Sequence, residues 1–284
     1  MKTSTLKKLI GTTVASLSLI SVSGLPAVAG QLHNGWNYGI DSFADGSGGE
    51  AYNIKGIAIK ETSDSIFVAL TGGTPLAGVS HNNAVDKNIG WGDLFLNFTG
   101  KNFTTASNQK KLFGVRFAET NDSGVATTGL YGNVKGVSVT GDNYGHSSLK
   151  HYYDAGWNQA NTQGTDIATK ADAYNYFGEG KILNVIDSGA TKLGDIQSLS
   201  AAALNSQGLN FGFFDASGTE TFGFSLNKAN LGLADGNYDY MASLFLECGN
   251  DGVALSVPEP GSIAGLALVG LTLIGGSRLS KRQS

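Results

Sequence analysis

The chain has 284 residues, of which 41 are glycine and only four are proline, and its formal net charge at pH 7 is −4. Glycine at about twice its usual share, without a collagen-like period and with aromatic residues spaced among apolar runs, excludes a collagen and a disordered low-complexity chain. The acidic balance and the absence of a long basic run argue against a nucleic-acid partner.

The N-terminal segment has the three parts of a secretory signal peptide. Three lysines lie within the first eight residues, an uncharged stretch follows at 9–25, and Ala27 and Ala29 stand in the Ala-x-Ala arrangement that signal peptidase accepts. We therefore expect signal peptidase to remove residues 1–29. The alternative is an uncleaved N-terminal anchor, but the apolar stretch is short and rich in Ser and Thr, which suits permanent anchoring poorly.

Residues 30–250 are predicted to form one all-β domain exposed outside the cytoplasm. Two apolar runs joined by the turn 61–64 predict a β-hairpin. Many short strands that do not alternate with helices predict an antiparallel β-sandwich or jelly roll with long loops. One short helix is expected at 194–204, with Asp195 as its N-cap. The expected strands are 54–60, 65–70, 93–98, 112–118, 136–140, 181–186, 209–214, 221–226 and 238–246.

Two loops of this domain offer binding chemistry. Asp41 and Asp45 flank a Gly- and Ser-rich segment whose oxygens could hold a structural Ca²⁺, the only cofactor that the sequence suggests, although both residues also suit simple turns. The segment 141–180 reads as a long polar insertion. Its aromatic residues Tyr152, Tyr153 and Trp157 could pack on sugar rings, although aromatic residues of β-rich chains belong more often to the core.

Enzymatic chemistry finds little support. The chain has no Gly-x-Ser-x-Gly elbow and no phosphate-binding or dinucleotide-binding glycine motif, so we predict a non-enzymatic protein without catalytic residues. His146 and His151 lack the helical spacing and intervening Glu of a zinc hydrolase. A glycosidase remains an alternative, because it needs only two suitably placed carboxylates. The candidates for such a pair are Glu50, Asp93, Glu119 and Glu179.

The single cysteine, Cys248, excludes an internal disulfide framework. In an oxidising compartment such a thiol is either buried or paired with another molecule. We favour a buried thiol, and a disulfide-linked dimer is the alternative.

The C-terminal segment has three parts in order. Residues 251–260 read as a linker that contains Pro258, Glu259 and Pro260, and 261–277 form an uncharged apolar run. A helix of that run is about 25 Å long, which barely spans a hydrocarbon core of about 30 Å. The run ends in a basic cytoplasmic tip, 278–284, which the positive-inside rule keeps in the cytoplasm. The tip carries Arg278, Lys281 and Arg282.

This arrangement resembles the PEP-CTERM sorting signal, the tag that exosortase recognises. The resemblance implies a Gram-negative host, transient anchoring in the inner membrane, removal of the tail by exosortase, and transfer to the cell surface, outer membrane or extracellular matrix. The segments 36–43, 89–95 and 247–251 also resemble a group of cyanobacterial exosortase-dependent surface proteins, a group that implies no catalytic residues.

The leading hypothesis is therefore an exported surface or matrix protein with a structural or interaction role. Signal peptidase and exosortase are its expected processing partners. Without residues 1–29 and 259–284, six basic residues and one acidic residue are lost, so the formal charge changes from −4 to −9. An acidic surface of this kind favours water and cations. One alternative is an adhesin that binds extracellular polysaccharide, with or without calcium, and another is an extracellular glycosidase.

Overall fold

The computed structural model describes residues 30–42, 45–157, 167, 169–233 and 238–258. The expected signal peptide, with Ala27 and Ala29, and the tail from Glu259 onward lie outside the described residues. The strands are β1 (Gln31–His33), β2 (Trp36–Ile40), β3 (Ile54–Glu61), β4 (Ser65–Gly72), β5 (Val79–Ser80), β6 (Asn88–Ile89), β7 (Leu94–Asn97), β8 (Leu112–Arg116), β9 (Gly129–Val134), β10 (Gly136–Val137), β11 (Val185–Ile186), β12 (Thr191–Gly194), β13 (Gln197–Ser200), β14 (Glu220–Asn227), β15 (Tyr240–Phe245) and β16 (Gly252–Val257). The helices are α1 (Phe103–Asn108), α2 (Leu149–Asp154), α3 (Lys170–Phe177) and α4 (Ala201–Ser206), with 3₁₀ turns at Glu50–Tyr52, Phe211–Phe214 and Lys228–Leu231.

Most strands belong to two six-stranded sheets. The first sheet has the order β1-β2-β3-β4-β14-β13, and the second has the order β12-β9-β8-β7-β15-β16. Two small ribbons, β5-β6 and β10-β11, complete the set. Every strand pairing is antiparallel. The predicted all-β, antiparallel class is therefore confirmed.

The predicted hairpin is confirmed as β3 and β4, and its sequence explains why it is buried on both faces. Ile59 pairs with Val68, and both side chains belong to the large core cluster that the two sheets share. The neighbouring pair, Ala58 and Ala69, points to the opposite face because side chains alternate along a strand. There it packs under residues 204–216, within a second cluster that contains Trp36.

The last strand joins the two sheets. β16 pairs with β15 in the second sheet and packs on β2 and β3 of the first. The Asn37 side-chain amide donates to the Ser256 carbonyl at 2.8 Å. Gly39 allows this approach, because a Cβ there would lie 3.0 Å from the carbonyl oxygen of Ala254. β16 is therefore an integral part of the core.

This observation corrects the linker that we predicted from residue 251. Asp251 is buried, and residues 252–257 form β16. Val253, Leu255 and Val257 alternate along the strand and all belong to the shared core. This period of two is the pattern of a half-buried strand, which the adjacent proline motif had obscured.

Two other expected elements differ. The helix predicted at 194–204 is the shorter α4, and its N-cap is Ser200, whose side chain accepts from the Ala203 amide. Asp195 lies instead between β12 and β13, where it pairs with Lys192 at 2.8 Å. The strand expected at 209–214 contains a 3₁₀ turn capped by Asn210, because the local side chain–backbone hydrogen bond competes with extended pairing.

The predicted insertion at 141–180 contains α2 and α3. Each helix has a side-chain N-cap, Ser148 for α2 and Thr169 for α3. Among the described residues, no helix has both the length and the apolar character needed to cross a membrane. The apolar run 261–277 lies outside that part of the chain.

Candidate functional site

Three carboxyl groups meet at one end of the two sheets. Asp41 directly follows β2, Asp45 lies four residues later, and Asp251 directly precedes β16. Each residue offers a carboxylate oxygen, and these oxygens lie within 4.8 Å of one another. We call this set the acidic cluster. The packing of β16 against β2 and β3 brings it together.

Hydrogen bonds fix the positions of two members, Asp251 through backbone donors and Asp45 through a side-chain donor. The two carboxylate oxygens of Asp251 accept from the Ile54 amide at 2.7 Å and from the Gly252 amide at 2.8 Å. The Tyr152 hydroxyl donates to the Asp45 carbonyl at 2.6 Å. Helix α2, which carries Tyr152, is therefore attached to the loop that carries Asp45.

Burial and mutual repulsion disfavour three negative charges here. Burial raises the pKa of Asp45 to about 7. Burial raises the pKa of Asp41 well above its usual range, and the charges of Asp251 and Asp45 raise it further. Burial, followed by the charge of Asp45, does the same to the pKa of Asp251. A hydrogen bond between the Asp41 and Asp251 side chains further raises the pKa of Asp41 and lowers that of Asp251.

A cavity of about 40 Å³ adjoins the cluster. Its polar wall includes the three aspartates and Thr169, and its apolar wall includes Leu149 and Phe245. One water needs about 10–15 Å³ of such space, so the cavity has room for an ion with one or two waters. The acidic cluster is thus a set of oxygen donors that could hold a hard cation.

A second group of buried acids has a different environment. Asp93 accepts from Asn121 at 2.8 Å, Ser123 at 2.6 Å and the Ile186 amide at 2.7 Å. Glu247 accepts from the amides of Gly90, at 2.6 Å, and Asp122. Burial raises the pKa of Asp93 to about 6 and that of Glu247 to about 8. We call these two residues the donor-saturated acids.

The glycosidase candidates do not share one environment. Asp93 is fully buried among its three donors, whereas Glu50 is exposed and pairs with Lys55 at 2.6 Å. Glu119 and Glu179 are also exposed. Asp93 therefore lacks the solvent access that a catalytic carboxylate needs.

The prediction that the Tyr152 ring is exposed for sugar binding is wrong, because Tyr152 is only 6% exposed. Tyr152 packs with Leu149 and Phe245, and Tyr153 and Trp157 are partly buried against the same cluster. The reason is that α2 uses its aromatic face to cover the second sheet near the acidic cluster. These residues form a small core instead of an open sugar-binding face.

An open groove of about 590 Å³ lies beside the acidic cluster. Three of the four histidines of the chain line it, His81, His146 and His151. Tyr144 is 67% exposed and stacks on His81, with ring centroids 5.5 Å apart. The Ser47 hydroxyl contacts His146 Nε2 at 3.0 Å. Burial, followed by the charge of His151, lowers the pKa of His146.

Sequence reasoning missed two participants. It identified Asp41 and Asp45 but assigned Asp251 to a linker, and it did not single out Tyr144. Asp251 lies in the Gly-Asn-Asp-Gly sequence 249–252, which is typical of a tight turn between strands. If the strand β16 had been recognised, the turn before it and the Asp251 carboxylate would have been placed at the end of that strand.

The predicted burial of Cys248 is confirmed, since its thiol is inaccessible and burial raises its pKa to about 12. Of the sorting residues, Pro258 is half-buried at the end of β16. Glu259, Pro260, Arg278, Lys281 and Arg282 lie outside the described residues.

Comparisons with known proteins found no match: no protein-family model, no curated protein and no solved structure is significantly similar to this chain.

Proposed function

We propose that this chain is an exported surface or extracellular-matrix protein, in which a β-sandwich domain is sorted and released by exosortase through the C-terminal Pro-Glu-Pro tail. One observation supports the proposal most directly. The last strand ends at Val257, and the motif begins at the next residue, Pro258.

This boundary suits proteolytic removal of the tail. Val257 is paired with Tyr240, so the sheet is complete before the motif begins. Proline cannot donate a backbone hydrogen bond and disfavours helical conformation in the residue before it, so the Pro-Glu-Pro sequence predicts an extended peptide of the kind that a protease binds. A cut beyond Pro258 removes no strand of the domain.

We assign the domain a structural or interaction role rather than a catalytic one. Its donor-saturated acids hold backbone amides in place, and the acidic surface favours hydration over contact with anionic membranes. The expected location after processing is the cell surface, the outer membrane or the extracellular matrix of a Gram-negative bacterium.

Replacing Pro258, Glu259 and Pro260 with alanine in an exosortase-carrying host tests the proposal. We expect the uncut protein to accumulate in the inner membrane, as judged by cell fractionation and by mass spectrometry of both termini. Replacing Gln283 and Ser284 with alanine is the matched control, because it alters the tail without touching the motif or the basic residues. Normal release of the triple variant would refute sorting through this motif.

A second candidate function, binding of an extracellular polysaccharide, is favoured by the groove. The exposed ring of Tyr144 offers an apolar face of the kind that the CH groups of a sugar cover. Ser47, Asn250 and His151 line the same groove with hydrogen-bonding groups. Tyr144 also has a φ of 53°, an uncommon conformation for a bulky residue that often marks a binding site.

Retention of the protein on the host's own polysaccharide tests this candidate. Tyr144→Ala should reduce retention about 5- to 30-fold, since stacking of a ring on an aromatic side chain contributes on the order of 1–2 kcal/mol. Phe213→Ala is the matched control: Phe213 is 60% exposed and stacks on His33 at 3.8 Å, away from the groove. Equal losses in both variants would indicate nonspecific adhesion and would reject the groove.

A further inference from the structure

The acidic cluster has no cation of its own. In the part of the chain that the structure describes, no lysine, arginine or histidine forms an ion pair with Asp41, Asp45 or Asp251. Arg116, the only arginine between residues 30 and 258, donates to Asn121 and to nearby backbone carbonyls instead. Buried charges in proteins are paired or coordinate metals, and the described part of the chain supplies no cation to these three carboxylates.

Two buried oxygens show where that partner fits. Asp41 is only 5% exposed, and its Oδ2 accepts no hydrogen bond. The Oδ1 of Asp45 is also buried without a partner. Both residues line the 40 Å³ cavity, which Asp251 completes. By contrast, the oxygens of Asp251 already accept two backbone amides, and a carboxylate still has lone pairs for a metal beyond these.

The donor chemistry selects the kind of cation. All three ligands are carboxylate oxygens, which suit hard cations and not the softer metals that thiolate and imidazole bind. Ca²⁺ accepts irregular sets of six to eight oxygens, including waters, whereas Mg²⁺ demands a near-ideal octahedron. Three carboxylates that are partly engaged by backbone amides, with room for one or two waters, match the first of these requirements better.

We propose that Asp41, Asp45 and Asp251 form a calcium site that connects the loop after β2 to the turn before β16. The site goes beyond the sorting function, since it concerns the domain and not the tail. Through the Tyr152–Asp45 hydrogen bond it also holds α2. Ca²⁺ in this position stabilises the end of the domain from which the tail-bearing strand starts.

The test uses the exported protein, purified and stripped with a chelator. Titration with Ca²⁺ alone should release heat with a dissociation constant of about 0.1–1 mM, the range of extracellular calcium modules. At a free Ca²⁺ concentration about 100-fold above that constant, the folding equilibrium constant should rise about 100-fold. No heat and no stabilisation at about 10 mM Ca²⁺ would overturn the proposal, and equal stabilisation by Mg²⁺ would overturn the assignment to calcium.

Asp41→Asn distinguishes a metal site from a merely structural carboxyl group. Because burial and two acidic neighbours disfavour the charged form of Asp41, a neutral amide there should leave the protein at least as stable as the natural protein in chelator. Its calcium affinity should fall at least tenfold, since one carboxylate ligand is lost. Asp64→Asn, which changes an exposed turn carboxylate, should keep the full calcium response. A loss of stability in Asp41→Asn that is the same with and without Ca²⁺ would show a structural role and would reject the site.

Discussion

The domain buries carboxylates in two contrasting ways. Asp93, one of the donor-saturated acids, has three donors from its own chain, while Asp41 in the acidic cluster retains a buried oxygen with none. Both residues are aspartates next to strands, and both have raised pKa values. The difference teaches that burial alone does not identify a binding site. The informative feature is whether the chain itself satisfies the buried group.

Asp93→Ala should produce the largest effect. It leaves the Asn121 amide, the Ser123 hydroxyl and the Ile186 amide without their shared acceptor. Unsatisfied buried groups of this kind cost about 3–5 kcal/mol of unfolding free energy in total. Urea unfolding measures the loss, which should be the same with and without Ca²⁺. Asp93→Asn keeps one acceptor oxygen and should lose less. If Asp93→Ala lowers the unfolding free energy by less than about 1 kcal/mol, the donors around Asp93 do not distinguish it from the acidic cluster.

The contribution of Glu247 to the pH dependence of stability should be the next largest effect. Its pKa is about 8 in the folded protein against 4.5 for an ordinary glutamate, so the folded state retains a proton that the unfolded chain releases. The stability that Glu247 contributes is therefore greatest below about pH 4.5 and is lost as the pH rises toward 8, by on the order of a few kcal/mol. Asp93 adds a smaller fall that ends near pH 6.

Urea midpoints between about pH 5 and pH 8 measure this slope, with chelator present throughout. Glu247→Gln cannot titrate, so the difference between its slope and that of the natural protein isolates Glu247. If the two slopes coincide, Glu247 does not carry the pH dependence.

The reactivity of Cys248 should sharpen the comparison, because this residue lies between Glu247 and Asp251 in the same turn. A thiol reagent reaches the buried sulfur only when the turn opens, and bound Ca²⁺ makes that opening rarer. We expect labelling to slow about tenfold or more when Ca²⁺ is added to the chelated protein. The urea-unfolded protein, which should label at one rate under both conditions, is the control. If the folded protein is labelled at the same rate with and without Ca²⁺, the opening of this turn does not depend on an ion in the acidic cluster.

Asp154→Asn should have the smallest effect. Asp154 is exposed and pairs with Lys150 and Lys170 at the surface. Exposed ion pairs contribute little, because water and salt screen them. The thermal unfolding midpoint of Asp154→Asn should match that of the natural protein within error. A clear shift would show that solvent-exposed acids also matter here.

The sequence predicted the fold class well because strand patterns are local. Leu94, Leu96 and Val115 lie in strands that alternation identifies, and the structure places all three in the shared core. Cys248 was also correctly predicted to be buried. The strand β16 was missed, because the nearby prolines and glycines suggested a linker while the pairing with β15 and the packing on β2 are tertiary features.

The candidate site was predicted only in part for the same reason. Asp41 and Asp45 lie close together in the sequence, so their turn could be read directly. Asp251 joins them only through the contact of the first and second sheets. Tyr152 stands in a polar segment that suggests exposure, and only the packing of α2 shows that its ring is covered. Local composition indicates the donors, and the long-range topology decides which of them meet.

The closure of the core by the last strand has a kinetic consequence. The Asn37–Ser256 hydrogen bond joins residues 219 positions apart. The β2–β16 contact therefore cannot form until nearly all of the domain has been synthesised. Contacts this distant in sequence form slowly, since a long loop must close first. A chain with this topology therefore stays incompletely folded until its last strand is available, which is compatible with the export that we propose.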